Sequence, residues 1–410
     1  MFMTTGKHAG ILVVILLAHT ALFAARAAEP VRPVPPSQSP TPAAKTPPSP
    51  PPVDAAFTVP PYLQDLRSDR VTVMWWSAKQ SYGWAEYGET KVLGKRADTV
   101  VEGLREVNAN RHAVRLPGLM PGTRYWYRTG IRSIASHTTS NVQWGAAIYS
   151  PVYSFTTPSP QDAKVRGVIL ADTHNNATFG PLLALPGVEP FDFSLFNGDS
   201  FGDIRNEGPC LALLRAYIEL VNGASRPAMF VRGNHELRNW YGPYLRNLFT
   251  YPEGHPYFAF TRGPVRFVVL DCGEAVRDSH PMCGGTLDCS SMRVEVAQWL
   301  EREIAADAFR QARWRILIVH IPLYGDGCSE HSRPLYLPVL AKTKFDLEIN
   351  GHIHTSRLLK PGAAGNPHPV VSVGGFNSAV GVFEATATGW NFKVLDGTGK
   401  VLVEERSGRR

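Results

Sequence analysis

Two rhythms of apolar and polar residues divide the chain. From Phe57 to about Thr157 the apolar residues fall in short, β-branched or aromatic stretches separated by Pro and Gly. Val71–Trp76, Trp84–Gly88, His112–Leu116, Arg124–Arg128 and Val152–Thr157 read as strands, and their spacing predicts an all-β sandwich of about 100 residues. Core packing accounts for its Trp and Tyr residues. From about Gln161 the texture changes. Continuous apolar runs (Val165–Leu170, Phe191–Phe196, Ala228–Val231, Val265–Leu270, Ile316–Val319 and Phe345–Ile349) alternate with helical patterns over Leu211–Val221, Val294–Ala306 and Pro334–Ala341. Runs without alternation fit strands buried on both faces, which predicts a layered α/β domain. The tail from Val370 to Glu404 reads as further strands completing a sheet.

The N-terminal pattern differs from both. Lys7 and His8 precede the apolar stretch Ile11–Phe23, and Ala25-Arg26-Ala27 offers a small-x-small cleavage site. Residues 1–27 therefore read as a secretory signal peptide, the competing reading being a retained membrane anchor. No Cys follows the stretch, which excludes a lipid-modified anchor there, and no later run is long and apolar enough to span a bilayer. Residues 28–55 hold roughly a third of the chain's 34 prolines and predict an extended, semi-rigid linker. The expected folded parts are then 56–158 and 161–406. Secretion, to a periplasm or the cell surface, is the expected destination.

The formal charge of +7 favours anionic partners without choosing among them. No dense Lys/Arg run interleaved with aromatics suggests a nucleic-acid-binding domain. Export makes disulfides plausible for the 5 cysteines, with Cys283 and Cys289 bracketing a Gly-rich turn. The rival reading, a zinc site, lacks any Cys-x-x-Cys pair. Cys210, in a helical run, reads as a buried thiol.

The chemistry lies where the apolar runs stop. Asp172-Thr173-His174, Gly198-Asp199, Gly233-Asn234-His235-Glu236, His320, Gly351-His352 and His354 each follow such a run, and Asp271-Cys272 ends one more without an obvious role. Each cluster alone is a weak signal: Asn234 suits a turn, and His320 suits a core. Together they supply carboxylate, amide and imidazole donors at the strand ends where α/β domains bind ligands, and they read as a two-metal hydrolytic site.

The ordered series Asp-x-His, Gly-Asp, Gly-Asn-His-Glu, His, Gly-His-x-His resembles the calcineurin-like metallophosphoesterase family over about Val165–Leu359. Pro61-Tyr62-Leu63-Gln64 and the stretch Gly118-Leu119-Met120-Pro121-Gly122-Thr123 with Tyr125 and Tyr127 resemble the fibronectin type III-like sandwich at the N-terminus of purple acid phosphatases. The resemblance implies an α/β/β/α sandwich preceded by the all-β one. It implies two divalent or trivalent metal ions (Fe, Mn or Zn). Asp172, His174 and His354 would bind one, Asn234, His320 and His352 the other, with Asp199 bridging. His235, no ligand, would face the substrate phosphate and serve with Asp199 in catalysis, while Glu236 would orient a neighbouring His. Arg238 and His331 are candidate phosphate contacts, as are Asn234 and His235. The implied reaction is hydrolysis of a small phosphomonoester by in-line attack of a metal-bridging hydroxide. Hydrolysis of nucleotide or phospholipid-derived diesters is the alternative, and a non-catalytic surface binding protein the lesser one. Two departures stand out. Purple acid phosphatases carry a Tyr ligand three residues after the bridging Asp, where this chain has Gly202, and a Gly where it has His174. Tyrosinate–iron colour is therefore not expected.

Overall fold

The computed structural model of the protein describes residues 53–202, 204–238 and 240–407. The expected signal segment lies outside the described residues, as does all of the expected linker before Val53. At its end Val53–Ala56 is one helical turn rather than extended chain.

The first part is a β-sandwich. Strand β1 (Phe57–Gln64) pairs antiparallel with β2 (Arg70–Gly88), which also pairs with β3 (Ala109–Pro117) and β4 (Arg124–Arg132). Strand β5 (Tyr153–Thr156) pairs with β4. The two strands expected at Val71–Trp76 and Trp84–Gly88 are one strand of 19 residues. Its middle, Ser77-Ala78-Lys79-Gln80-Ser81, contains no Gly, Pro, Asn or Asp to make a turn. The backbone stays extended, exposes Ala78, Lys79 and Gln80, and shifts register against β3 between Trp76 and Ser81. One strand thus serves both layers.

The second part is four-layered. One six-stranded sheet runs β8 (Ala228–Val231), β7 (Phe193–Asn197), β6 (Lys164–Leu170), then β15 (Ala379–Thr386), β16 (Trp390–Asp396) and β17 (Val401–Arg406). The first three are parallel and the last three antiparallel. The other six-stranded sheet runs β9 (Phe258–Arg262), β10 (Val265–Leu270), β11 (Trp314–Val319), β12 (Leu347–Asn350), β14 (Val370–Ser372) and β13 (Arg357–Leu359), parallel from β10 to β14. Side chains alternate faces along each strand. Ile169, Leu195, Phe267, Ile318 and Phe383 therefore fill the space between the sheets. Phe196 and Phe230 point the other way, onto Leu211, Leu214 and Tyr217 of helix α1 (Glu207–Leu220). Val268 and Leu317 meet Val296, Trp299 and Tyr336 from helices α2 (Cys289–Ala305) and α3 (Arg333–Leu340). Burial on both faces explains why these strands read as continuous apolar runs.

The two parts share a core. Val59, Tyr62, Met74 and Trp76 are buried in the cluster that holds Phe196, Phe201 and Leu248. Tyr62 and Trp76 stack with ring centroids 6.3 Å apart. The Tyr62 hydroxyl donates to Leu248 O at 2.5 Å, the Tyr127 hydroxyl to Ala224 O at 2.6 Å, and Leu63 N to Gly223 O at 2.9 Å. Core packing does explain the sandwich aromatics, but Trp75 and Tyr125 fill the sandwich itself while Tyr62 and Trp76 fill the junction.

All five cysteines are free thiols in this structure, and none of the expected disulfides is present in it. Cys283 lies in a 3₁₀ turn with its thiol 3.7 Å from Arg277 O, whereas Cys289 opens α2 against Gly273. Cys210 is a fully buried thiol, as expected from its helical run.

Candidate metal centre

Every cluster leaves the carboxyl end of a parallel strand. Asp172 and His174 follow β6, Asp199 follows β7 and Asn234 follows β8; His320 follows β11, and His352 and His354 follow β12. The loops continue the parallel pairing past the sheet: Asp172 N donates to Gly198 O at 3.0 Å and His174 N to Asp199 O at 2.9 Å. This ladder delivers the side chains of two strands side by side. The second sheet reaches across through Gly351, where a Cβ would stand 2.6 Å from Asp172 Oδ2, so only glycine fits. The next amide, His352 N, donates to both Asp172 carboxylate oxygens, at 3.1 and 2.9 Å.

Among the described residues, two groups of candidate donors result, each with its ligand atoms within 4.8 Å of one another. One is Asp172, His174, Asp199 and His354; the other is Asp199, His320 and His352. Asp199 belongs to both. His174 Nε2 lies 3.0 Å from His354 Nε2, which lies 3.3 Å from Asp172 Oδ1. His320 Nε2 lies 3.1 Å from Asp199 Oδ2 yet makes no aligned hydrogen bond, and Asn234 Oδ1 is likewise buried without a partner. Buried polar atoms left so are costly in a folded chain unless a further ligand satisfies them. The chemistry of the donors, carboxylate, amide and imidazole, fits transition-metal cations. Asp172, His174, Asp199, His352 and His354 all hold φ between 46° and 66°, a left-handed backbone that non-glycine residues adopt at a cost.

Electrostatics point the same way. Burial opposes ionisation of Asp199, but His320 and the His235 amide outweigh it and hold the carboxyl far below its usual range. Burial also disfavours the His320 cation, yet Asp199 and Asp172 hold its pKa up at about 10. Burial, with His320 beside it, pushes His352 down to about 4. Burial lowers His174 against the pull of both aspartates, while a hydrogen bond to Asp172 raises His354. Neighbouring imidazoles thus disagree over a proton, whereas a cation between them suits each lone pair.

Residues 166–356 match the model of the calcineurin-like phosphoesterase family, and residues 58–157 match that of the purple acid phosphatase N-terminal domain. The chain carries a calcineurin-like phosphoesterase domain. Among curated proteins, purple acid phosphatases 22 and 21 of Arabidopsis thaliana are 23% and 22% identical over 272 and 271 residues, 61% of this chain in each case. The chain spans about half the length of these relatives, 54% and 53%. Among solved structures, the purple acid phosphatase PPD1 of yellow lupin (Lupinus luteus) superposes with a TM-score of 0.62 at 16% identity, covering 84% of this chain and 73% of that one. The structure of PhoD gives 0.60 at 14% identity over 87% and 93%. At these identities both show the fold.

Within the calcineurin-like domain, further residues brace the candidate donors. Glu236 holds backbone rather than a histidine: its carboxylate accepts from Asp199 N (2.9 Å), Ser200 N (2.6 Å), Phe201 N (2.8 Å) and Gly233 N (2.7 Å), tying the Asp199 and Asn234 loops together. Burial, with Asp199's charge beside it, pushes its pKa up to about 7, against the pull of the Phe201 and Gly233 amides. Asn197 O accepts from His320 Nδ1 at 2.7 Å, which turns Nε2 toward Asp199. Asp271 accepts from Arg232 Nε at 2.6 Å, bracing the Gly233 turn. Asn175 grips the backbone of Gly202, accepting from Gly202 N at 2.9 Å and donating to Gly202 O at 2.5 Å. A Cβ on Gly202 would stand 3.2 Å from His235 Cβ and 3.3 Å from Nδ1. His235 therefore packs against the position where purple acid phosphatases carry tyrosine. Of the candidate phosphate contacts, Arg238 is held by buried Glu274 at 2.5 Å through both oxygens, and half-buried His331 stands ahead of α3, outside both donor groups.

Proposed function

We propose that this protein is an exported, binuclear metal-dependent phosphoesterase that hydrolyses phosphomonoesters. The observation that carries the reading is Asp199, the carboxylate common to both donor groups. Asp172, His174 and His354 would hold one cation and Asn234, His320 and His352 the other, with Asp199 between. Bound there, two cations supply Lewis acidity, neutralise phosphoryl charge and make water acidic enough to attack at neutral pH. Iron, manganese or zinc suits these donors, and with Gly202 in place of tyrosine no tyrosinate–iron absorption is expected. The relatives and the N-terminal sandwich support the phosphatase reading over the diesterase one. The segment preceding the described residues carries the export signal of the proposal, and among the described residues no helix is long and apolar enough to cross a membrane.

The chain's own groups divide the remaining work. His235 lies at the mouth of the site, its backbone N–H donating to Asp199 Oδ1 at 2.8 Å and its Nε2 3.9 Å from Asp199 Oδ2. From there an imidazolium can donate a hydrogen bond to a phosphoryl oxygen and a proton to the leaving oxygen. Arg238, paired with Glu274, braces the turn that carries His235.

The test is turnover of aryl phosphate monoesters and diesters by purified protein, stripped with chelator and refilled with Mn, Fe, Zn or Co. Activity should vanish on stripping, return with metal and favour monoesters; metal-independent turnover sinks the proposal. Asp199→Ala should lose at least one metal equivalent by elemental analysis. His235→Ala should keep its metals while turnover falls about 100-fold.

A further inference from the structure

Metal binding and core packing leave Phe376 unaccounted for. It follows Gly374 and Gly375 in the turn after β14, and the residue is 60% exposed. Its ring stacks on His174 (centroids 4.9 Å apart, planes at 24°) and meets His354 nearly edge-on at 4.4 Å. Phe376 and Asn377 both hold φ at 55°. Glycine or asparagine suits that conformation, whereas a bulky aromatic there is a genuine outlier that persists only when its surroundings impose it. Here they do: Phe376 N donates to Asp172 O at 2.8 Å, and the Asn377 amide donates to Asn176 O at 3.2 Å and Thr178 Oγ1 at 3.1 Å. The turn is thereby clamped to the loop that carries Asp172 and His174. The fold spends backbone strain to hold a large apolar ring in water, beside the donors of one metal group.

We propose that Phe376 is a specificity-determining residue whose solvent-facing ring stacks on a flat organic group of the ester, so that aryl phosphates are favoured over alkyl ones. The inference rests on the phosphoesterase reading. The ring is in contact with two imidazoles of the donor group, which sets it beside the place where the ester would bind. Offset or edge-on aromatic pairing supplies the preference.

Binding of phenylphosphonate and methylphosphonate, which are not hydrolysed, to the metal-loaded full chain measures this by calorimetry. The wild type should bind the phenyl compound about tenfold more tightly. Phe376→Ala should bring the ratio to within about twofold of one, and Phe376→Tyr should keep it. An unchanged ratio in Phe376→Ala, a ratio near one in the wild type, or binding of neither phosphonate overturns the proposal. The companion measurement is kcat/KM for phenyl against butyl phosphate, whose ratio should fall in parallel. A protein that turns over no ester refutes the phosphoesterase reading, and the phosphonate ratio still decides the role of Phe376.

Discussion

Glu236 receives four backbone N–H groups from two loops, and those loops carry Asp199 and Asn234. A carboxylate does this with both oxygens as acceptors; an amide in its place turns an NH2 group toward two of the donors. Glu236→Gln should therefore weaken metal binding about 10- to 100-fold although every donor residue remains. Competition against a chromophoric chelator measures it, and an affinity within about twofold of wild type removes Glu236 from the support of the site. The candidate donors were open to sequence reasoning because only a few residue types bind metals and because Asp172, His174, Asp199, Asn234, His320, His352 and His354 each end an apolar run. Glu236 was legible as a support but not its partner, since backbone N–H groups leave no mark on the sequence. Phe376 was open to sequence reasoning as an aromatic set in a Gly-Gly-x-Asn turn, where small or polar residues are the rule.

Among the elements, β2 and β3 hold a titratable group far from the metal centre. His112 of β3 is buried, stacked on Trp75 with centroids 5.0 Å apart, and its Nε2 lies 2.9 Å from Ser77 Oγ and 3.3 Å from Ser81 Oγ. Burial, with Arg111 beside it, pushes its pKa down from 6.5 to about 4. The unfolded chain binds a proton below pH 6.5 while the folded strand refuses it until about pH 4. Stability from this group is thus complete above pH 6.5 and drains away as pH falls to about 4, by about 3 kcal/mol. Urea midpoints of wild type and His112→Gln at pH 7 and pH 4.5 test the sign: the variant should lose less stability on acidification, and parallel loss refutes the assignment. The strands themselves were readable from β-branched and aromatic runs. That β2 continues through Ser77–Ser81 was not, because polar residues mark a loop in one register and a layer crossing in another.

At the scale of the molecule the sandwich and the calcineurin-like domain are joined by Tyr62 and Trp76, each no more than 1% exposed. Trp76→Ala should cost about 3–5 kcal/mol by leaving a cavity at the junction. It should lower the urea midpoint of sandwich and metal site together, followed by tryptophan fluorescence and by metal release. Two separated transitions in the wild type would show that the junction does not couple them. The residue pattern alone carried the fold class and the strand-end clusters that supply the candidate metal donors. Burial imposes apolar periodicity, and chemistry restricts donors to a few side chains, so both are written in the order of residues. Tertiary structure alone decided that Glu236 gathers four backbone N–H groups, that Arg238 is engaged by Glu274, that the cysteines stay apart, and that Tyr62 and Trp76 face the junction rather than the sandwich. Each of these is a distance between residues remote along the chain, set when the sheets pack and the strand ends converge.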